Sequence, residues 1–177
     1  MSTDADDRGE IHPEENRGEI TPTAAEDIAA IVRDGIIGAA GGFVGTAMMT
    51  VILLIAQVLG AFDFDAFADI AGLVGLDAVL DPGLTVAAGY LIFLAGGMTT
   101  WPLLYASVER YLPGSSLPLR GVSFGFVLWT GFVIAFYGDQ TGDALYIYIV
   151  ATLLAHFAYG FGLGLVFEYF ATREDIV

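Results

Sequence analysis

The hydrophobic residues of this chain fall into four long stretches that contain no Asp, Glu, Lys or Arg. These stretches are residues 36–62, 82–108, 121–138 and 144–167. A helix needs about 20 mostly apolar residues to cross the hydrocarbon core of a bilayer. Three stretches exceed that length, and Pro118 and Leu119 lengthen the third as far as Arg120, whose side chain reaches toward the headgroups. The pattern predicts four membrane-crossing helices, at about 35–61, 83–108, 118–138 and 144–170.

The alternative is a soluble protein in which these stretches are core helices. Core helices are usually shorter and amphipathic, and four wholly apolar runs leave no polar faces to cover them. We therefore predict an all-α, polytopic membrane protein, a four-transmembrane-helix bundle that occupies residues 23–177 and has the lipid bilayer as its main partner.

The arginines indicate the orientation of the predicted bundle. Arg8, Arg17 and Arg33 precede the first crossing, Arg110 and Arg120 lie between the second and third, and Arg173 follows the fourth. The two other loops, 63–81 and 139–143, hold seven Asp and no basic residue. Because basic residues accumulate on the cytoplasmic side, we predict a cell-membrane protein with both termini in the cytoplasm.

The segments between and before the crossings also carry predictions. Residues 1–22 are polar and acidic, which predicts a disordered tail that is either simply solvated or a docking segment. Thr23 and Glu26 fit a capping box at the start of a helix. Residues 64–80 predict a short helix in the outer interface or a connector packed on the bundle. In the outer hairpin 138–143, Asp139 and Asp143 are either part of a solvated turn or a weak cation pair.

Composition excludes several classes of function. The 177 residues are 56% hydrophobic and 15% charged, with a net charge of −15, and the mean hydropathy is +0.70. The chain has no cysteine, which excludes disulfides and cysteine-based zinc or thiol chemistry. All six basic residues are dispersed arginines, so no basic patch is available to bind nucleic acid.

Glycines recur at the four-residue spacing that lets membrane helices approach closely. We interpret them as the seams of the bundle, with dimerisation as the alternative use. The predicted packing glycines are Gly38, Gly41, Gly42, Gly45, Gly121, Gly125, Gly160 and Gly164.

The second crossing contains the run Gly96-Gly97-Met98-Thr99-Thr100-Trp101-Pro102 at its centre. Pro102 lacks a backbone N–H and predicts a kink near Met98, with Thr99 or Thr100 bonding a released carbonyl. Either the helix is merely kinked, or it is broken and lines a small site.

His156 is the ionisable residue farthest from an aqueous edge, and it lies near mid-membrane on the fourth crossing. Ionisable residues at this depth usually face the bundle interior and mark function. The alternative is a neutral histidine that serves only as a hydrogen-bonding group between helices. The candidate polar site around it comprises His156, Tyr159, Thr99, Thr100, Trp129 and Thr130, with Met48 at a similar depth.

Three specific chemistries place different demands on the residues of this site. Haem usually takes two axial ligands, and the other histidine, His12, lies in the tail, which leaves ligation by Met48, Met49 or Met98. Hydrolysis needs a nucleophile beside its base, and no Ser-His-Asp set lies in the membrane. A carboxylate relay for ion transport is absent from mid-membrane. We therefore predict no enzyme activity, no cofactor and no metal site.

Two stretches, 104–138 and 154–169, carry a resemblance to a known family. The shared motifs are Leu112-Pro113-Gly114, Arg120-Gly121, Trp129, and His156 with Tyr159, Gly160 and Gly164. They resemble an uncharacterised family of small four-helix membrane proteins of haloarchaea, more distantly similar to YagU-type proteins. The acidic, lysine-free composition also suits a halophilic source. Family members often have a histidine in the second helix, where this chain has Gly89-Tyr90, so the resemblance implies a fold but no two-histidine site.

The function predicted from the sequence is that of a non-catalytic accessory or assembly subunit of a membrane complex, with membrane-protein partners or a homo-oligomer. A small transporter or channel built around His156 is the alternative. A haem-binding redox subunit is the weaker third hypothesis.

Overall fold

The structure is a computed structural model that describes residues 24–174. These residues form six α-helices and no strand: α1 (Ala24–Val58), α2 (Phe67–Leu73), α3 (Pro82–Met98), α4 (Thr100–Val108), α5 (Leu117–Ala135) and α6 (Gly142–Glu174). The predicted tail 1–22, the proposed cap Thr23, and His12 lie outside the described residues.

Four segments of the described chain are long and apolar enough to cross a membrane. They are α1, the combined segment Pro82–Tyr111 that contains α3 and α4, α5, and α6. The fold is therefore the all-α, multi-pass architecture that the charge-free stretches predicted. The first helix starts well before the predicted crossing: its 35 residues span roughly 50 Å at 1.5 Å per residue, and its first turns, from Ala25 to Ile36, are exposed.

The long helix α6 is the centre of the bundle. It packs along α1 on one side and along α5 on the other, while α1 also packs against α3. The backbones of α3 and α5 do not pack along each other, and aromatic side chains bridge them instead, with the rings of Phe93 and Phe132 6.2 Å apart. The bundle is therefore closed on three sides and held open on the fourth.

The second span is broken rather than gently kinked. α3 ends at Met98, Thr99 adopts φ −121° and ψ −67°, and α4 begins at Thr100. Pro102 then lies in the first turn of α4, where its missing N–H removes no helical hydrogen bond. The Thr99 hydroxyl donates to the Ala95 carbonyl at 2.7 Å. The second span therefore consists of two helices, α3 and α4, that meet at Thr99.

The connector between the first two spans packs on the bundle. Phe67 and Ala71 of α2 are completely buried, while Asp65 and Asp69 face outward. A side chain at Gly89 of α3 would collide with the Phe67 carbonyl, so this glycine allows α2 and α3 to touch backbone to backbone. The apolar side of α2 thus closes the end of the bundle that carries the aspartate-rich loops.

At the opposite end, polar contacts tie the second span to the third. Arg120 forms an ion pair with Glu109 at 2.6 Å, and the Tyr105 hydroxyl donates to the Leu117 carbonyl at 2.6 Å. Arg110 and Arg120 therefore lie at the end of the bundle away from α2, and Arg120 fixes the start of α5.

Candidate functional site

A cleft of about 420 Å³ opens where α3 and α5 stay apart. Its residues come from the interior of α1 and α6, from the part of the second span around its break, from the C-terminal end of α5, and from α2. The lining residues are Thr46, Met49, Ile70, Phe93, Gly97, Trp101, Leu128, Gly131, Phe132, Ala135, Phe136, His156 and Tyr159.

His156 supplies the most reactive group of the cleft. Its side chain is only 3% exposed, and Nδ1 lies 2.8 Å from the Thr152 carbonyl one turn earlier on α6. Because a carbonyl only accepts, Nδ1 is the donor, and in a neutral ring Nε2 is then an acceptor. Nε2 has no hydrogen-bond partner among residues 24–174, and it is not among the buried atoms sealed from solvent. A free acceptor therefore faces the cleft.

A second polar group meets the cleft at the helix break. The Tyr159 hydroxyl of α6 donates to the Gly97 carbonyl at 2.8 Å, near the end of α3. This bond satisfies one of the carbonyls that the end of α3 leaves without a helical partner. The break is thus held by a side chain from another helix as well as by the neighbouring threonine.

Thr46 of α1 lies behind this contact. It is 1% exposed, and its hydroxyl is the one buried side-chain atom of the described residues that makes no hydrogen bond. A side chain at Gly97 would collide with that hydroxyl, so Gly97 presses directly on it. The back of the cleft therefore contains a polar atom that the protein leaves unsatisfied.

Aromatic rings form most of the cleft walls. The ring of Phe132 packs edge-on against His156 with centroids 4.6 Å apart, and stacks on Phe136 at 4.2 Å. Phe93 and Trp101 complete the opposite wall, and no charged residue is among the lining residues. The arrangement favours a flat, uncharged molecule.

The structure brings together only part of the polar set proposed from the sequence. His156 and Tyr159 both line the cleft. The Trp129 indole donates to the Thr152 hydroxyl at 3.1 Å and so braces the turn that holds His156, outside the cleft. Thr99, Thr100 and Thr130 are exposed on the outside of the bundle, and Thr130 bonds the Val127 carbonyl of its own helix.

The eight packing glycines lie against neighbouring helices. Gly38 and Gly42 face Pro102, and Gly41 and Gly45 face Leu163 and Tyr159 of α6. Gly121 and Gly160 face each other across the α5–α6 interface, Gly125 faces the His156 carbonyl, and Gly164 faces Leu117. These contacts place the backbone of His156 directly against α5.

Several cleft residues were not singled out from the sequence. Thr46, Phe93 and Phe132 look like ordinary apolar or small residues of a membrane helix, and only the separation of α3 from α5 exposes them to one space. Tyr90 lies in the second span, where the resemblance implies a histidine in related proteins. Its hydroxyl bonds the Thr50 hydroxyl at 2.9 Å and does not reach His156.

The other candidate sites of the sequence are weaker. The hairpin with Asp139 and Asp143 is closed by Gln140, whose side chain accepts from the Gly138 N–H at 2.9 Å. No cluster of three or more His, Cys, Asp or Glu is found in the part of the chain that is described. Of these sequence-derived candidates, the site around His156 therefore has the stronger support, since a cleft opens beside it.

A sequence family of unknown function, DUF6789, matches residues 32–177, a range that contains every residue of the cleft. The chain belongs to this family. No curated protein and no solved structure matches the chain. Membership of DUF6789 therefore supplies a family but no activity, and the function rests on the geometry of the cleft.

Proposed function

We propose that this member of DUF6789 is a non-enzymatic membrane protein that binds a small, neutral, lipophilic molecule in the cleft between α3 and α5. The observation that carries the proposal is the free Nε2 of His156 in a cavity walled by aromatic rings. Nε2 has no partner among the described residues and is not sealed off, so a bound molecule can donate to it. A hydrogen bond of this kind contributes about 0.5–1.5 kcal/mol net.

The size and position of the cleft support binding. Ligand sites commonly have volumes of about 300–1,000 Å³ and apolar walls with a few polar groups, and this cleft has about 420 Å³. In a bilayer its opening between α3 and α5 would face lipid. A lipophilic molecule could then enter from the membrane without crossing water.

The chemistry of the lining supports binding rather than catalysis. Beside His156 the cleft has no carboxylate and no serine, and the Tyr159 hydroxyl is engaged by the Gly97 carbonyl.

The hypothesis of an accessory subunit concerns which proteins this chain assembles with. A ligand-binding cleft is compatible with that role. If the protein held a haem, His156 and Met49 would be the candidate ligands because both line the cleft, and the visible spectrum of the purified protein would then show a Soret band.

Transport is the second candidate function, and one observation favours it. The break at Thr99 divides the second span beside the cleft, and the Tyr159–Gly97 bond joins it to α6. Broken helices line the binding sites of many transporters. A solute flux into vesicles that is lost in Tyr159→Phe but not in Tyr146→Phe, an exposed tyrosine, would support transport.

The location and orientation are also part of the proposal. The arginine-free loops are placed outside, both termini in the cytoplasm, and the protein in the cell membrane. We further infer a haloarchaeal source and a distant YagU-type relation, supported by the acidic, lysine-free composition and the glycine motifs of α5 and α6.

Cysteine labelling tests the orientation. The chain has no cysteine, so Thr141→Cys, in the exposed hairpin before α6, and Ser115→Cys, in the loop before α5, each give a single site. A membrane-impermeant maleimide applied to whole cells should label position 141 and not 115. Labelling of 115 alone would reverse the orientation.

The binding proposal is tested by filling the cleft. Gly131 lines the cleft, and a side chain there meets nothing within 4 Å, so Gly131→Leu should fold and occupy the space.

Tryptophan fluorescence reports binding. Trp101 lines the cleft and is one of two tryptophans. In a Trp129→Phe background, Trp101 is the only tryptophan. The His156 bond to the Thr152 backbone carbonyl is kept there, because Trp129 bonds only the Thr152 hydroxyl, which also bonds the Tyr148 carbonyl. Brominated aromatic probes, which quench tryptophan on contact, should then quench it saturably.

Gly35→Leu is the matched control, because Gly35 on α1 is equally open but lies away from this cleft. We expect saturable quenching to persist in Gly35→Leu and to disappear in Gly131→Leu. Only linear, lipid-proportional quenching in the unfilled protein, for every aromatic probe, would refute the binding proposal.

A further inference from the structure

We propose, building on the binding function above, that the cleft selects ring molecules that carry a hydroxyl group, the phenol class. The inference rests on three features of the cleft: the hydrogen-bonding state of His156, the aromatic walls, and the absence of charged side chains.

His156 fixes the polarity of the ligand. The Thr152 carbonyl takes the proton of Nδ1, 2.8 Å away, which leaves Nε2 as an acceptor that needs a donor. Ethers, ketones and halides have no donor to offer. A hydroxyl group satisfies Nε2 directly and is compact enough to reach His156, which is only 3% exposed.

The walls fix the shape of the ligand. Phe132 lies edge-on to His156, and Phe93 contacts Phe132 with ring centroids 6.2 Å apart, so these rings form one continuous aromatic wall beside the cleft. An aromatic wall of this kind accepts another ring in edge-to-face or offset-stacked contact. A flat ring can therefore pack in the cleft against this wall, with its hydroxyl directed toward α6.

The lining also excludes charged ligands. None of the residues around the cleft is Asp, Glu, Lys or Arg, and an unpaired charge is very costly to bury in apolar surroundings. A carboxylate or ammonium compound of the same size would remain in water or at the headgroups. A phenol is neutral near pH 7, so it meets both the donor and the charge requirement.

Three brominated probes of nearly equal size test the inference in the Trp129→Phe background. 4-Bromophenol carries the hydroxyl, 4-bromotoluene replaces it with a methyl group, and 4-bromoanisole caps it so that it only accepts. After correction for partition into protein-free nanodiscs of the same lipid, saturable quenching of Trp101 should show roughly tenfold tighter binding of 4-bromophenol, the effect of one net hydrogen bond in an apolar site.

His156→Leu should abolish this preference while keeping binding of 4-bromotoluene. Thr130→Val is the control, because Thr130 is exposed outside the cleft and bonds the Val127 carbonyl of its own helix, and it should leave the preference unchanged. If His156→Leu does not fold, the comparison of 4-bromophenol with 4-bromoanisole in the His156 protein decides.

The outcomes separate the two proposals. Saturable binding in which 4-bromoanisole or 4-bromotoluene equals 4-bromophenol would overturn the phenol class and leave the binding cleft intact. A phenol preference that survives His156→Leu would overturn the role of His156. The absence of saturable quenching by all three probes would instead remove the binding function itself.

Discussion

The two faces of α5 show opposite ways of meeting a neighbouring helix. Against α6, Gly121 and Gly125 allow backbone contact with Gly160 and His156. Against α3, the ring of Phe132 meets the ring of Phe93 while the two backbones stay apart. One helix thus forms both the tightest seam of the bundle and the wall of its cleft.

The difference shows how residue size determines where a membrane bundle closes. Lipid gives little hydrophobic drive for helices to associate, so close packing depends on small residues that let backbones approach. Large rings instead fill the space between helices incompletely and leave room for another molecule. The glycine contacts between α5 and α6 also fix the backbone of His156. The closely packed side of α5 thus positions the residue whose side chain lines the cleft.

The largest expected effect comes from adding a side chain at the glycine contact between α5 and α6. In Gly121→Ala the added methyl would collide with the Gly160 carbonyl, and overpacking of this kind costs about 1–3 kcal/mol, occasionally more. We expect a clear loss of folded yield and thermal stability in detergent, measured by circular dichroism. Gly131→Ala, on the same helix but facing the open cleft, should unfold at the same temperature or slightly higher. Equal losses in both variants would contradict the distinction between the two faces.

A smaller effect is expected at the helix break. Tyr159→Phe removes the hydrogen bond to the Gly97 carbonyl and leaves that carbonyl buried without a partner, which should cost about 1–2 kcal/mol. Tyr146→Phe, at a tyrosine that is 71% exposed, serves as the control and should change little. Denaturation in mixed micelles measures both. A Tyr159→Phe protein as stable as the control would show that Thr99 suffices to hold the break.

The smallest effect is expected at Thr46. Its hydroxyl is buried without a partner, so Thr46→Val removes an unsatisfied polar atom while keeping the side-chain shape. We expect stability within about 0.5 kcal/mol of the unaltered protein or slightly above it, because no existing hydrogen bond is lost. The same denaturation assay applies, and a marked loss of stability would reveal a partner that Thr46 gains in the membrane.

The sequence predicted the spans more completely than the site. The four charge-free stretches were sufficient because a bilayer imposes length and polarity on any segment that crosses it. A break or kink near Met98 could also be predicted from the sequence, because Pro102 and two glycines are local signals. The partner of the released carbonyl was not, because Tyr159 follows Gly97 by 62 positions and no local pattern connects them.

The candidate site shows the same division. His156 was identifiable because an ionisable residue in an apolar stretch is rare. On the other helices, the sequence predicts only which residues lie at the depth of His156, and depth does not specify which way a side chain points. Thr99, Thr100 and Thr130 have a suitable depth and face outward, whereas Thr46 and Phe132 face inward and were missed.

By itself, the sequence determined that this protein is a helical bundle with four apolar spans, glycine-lined helices and one deeply placed histidine. These properties depend on residue type and spacing along one segment. Only the tertiary structure decided that α3 and α5 stand apart, that Nδ1 of His156 is occupied while Nε2 is free, and that aromatic rings surround the gap. Those features arise from contacts between helices, where the size of a residue on one helix acts through the partner it meets on another.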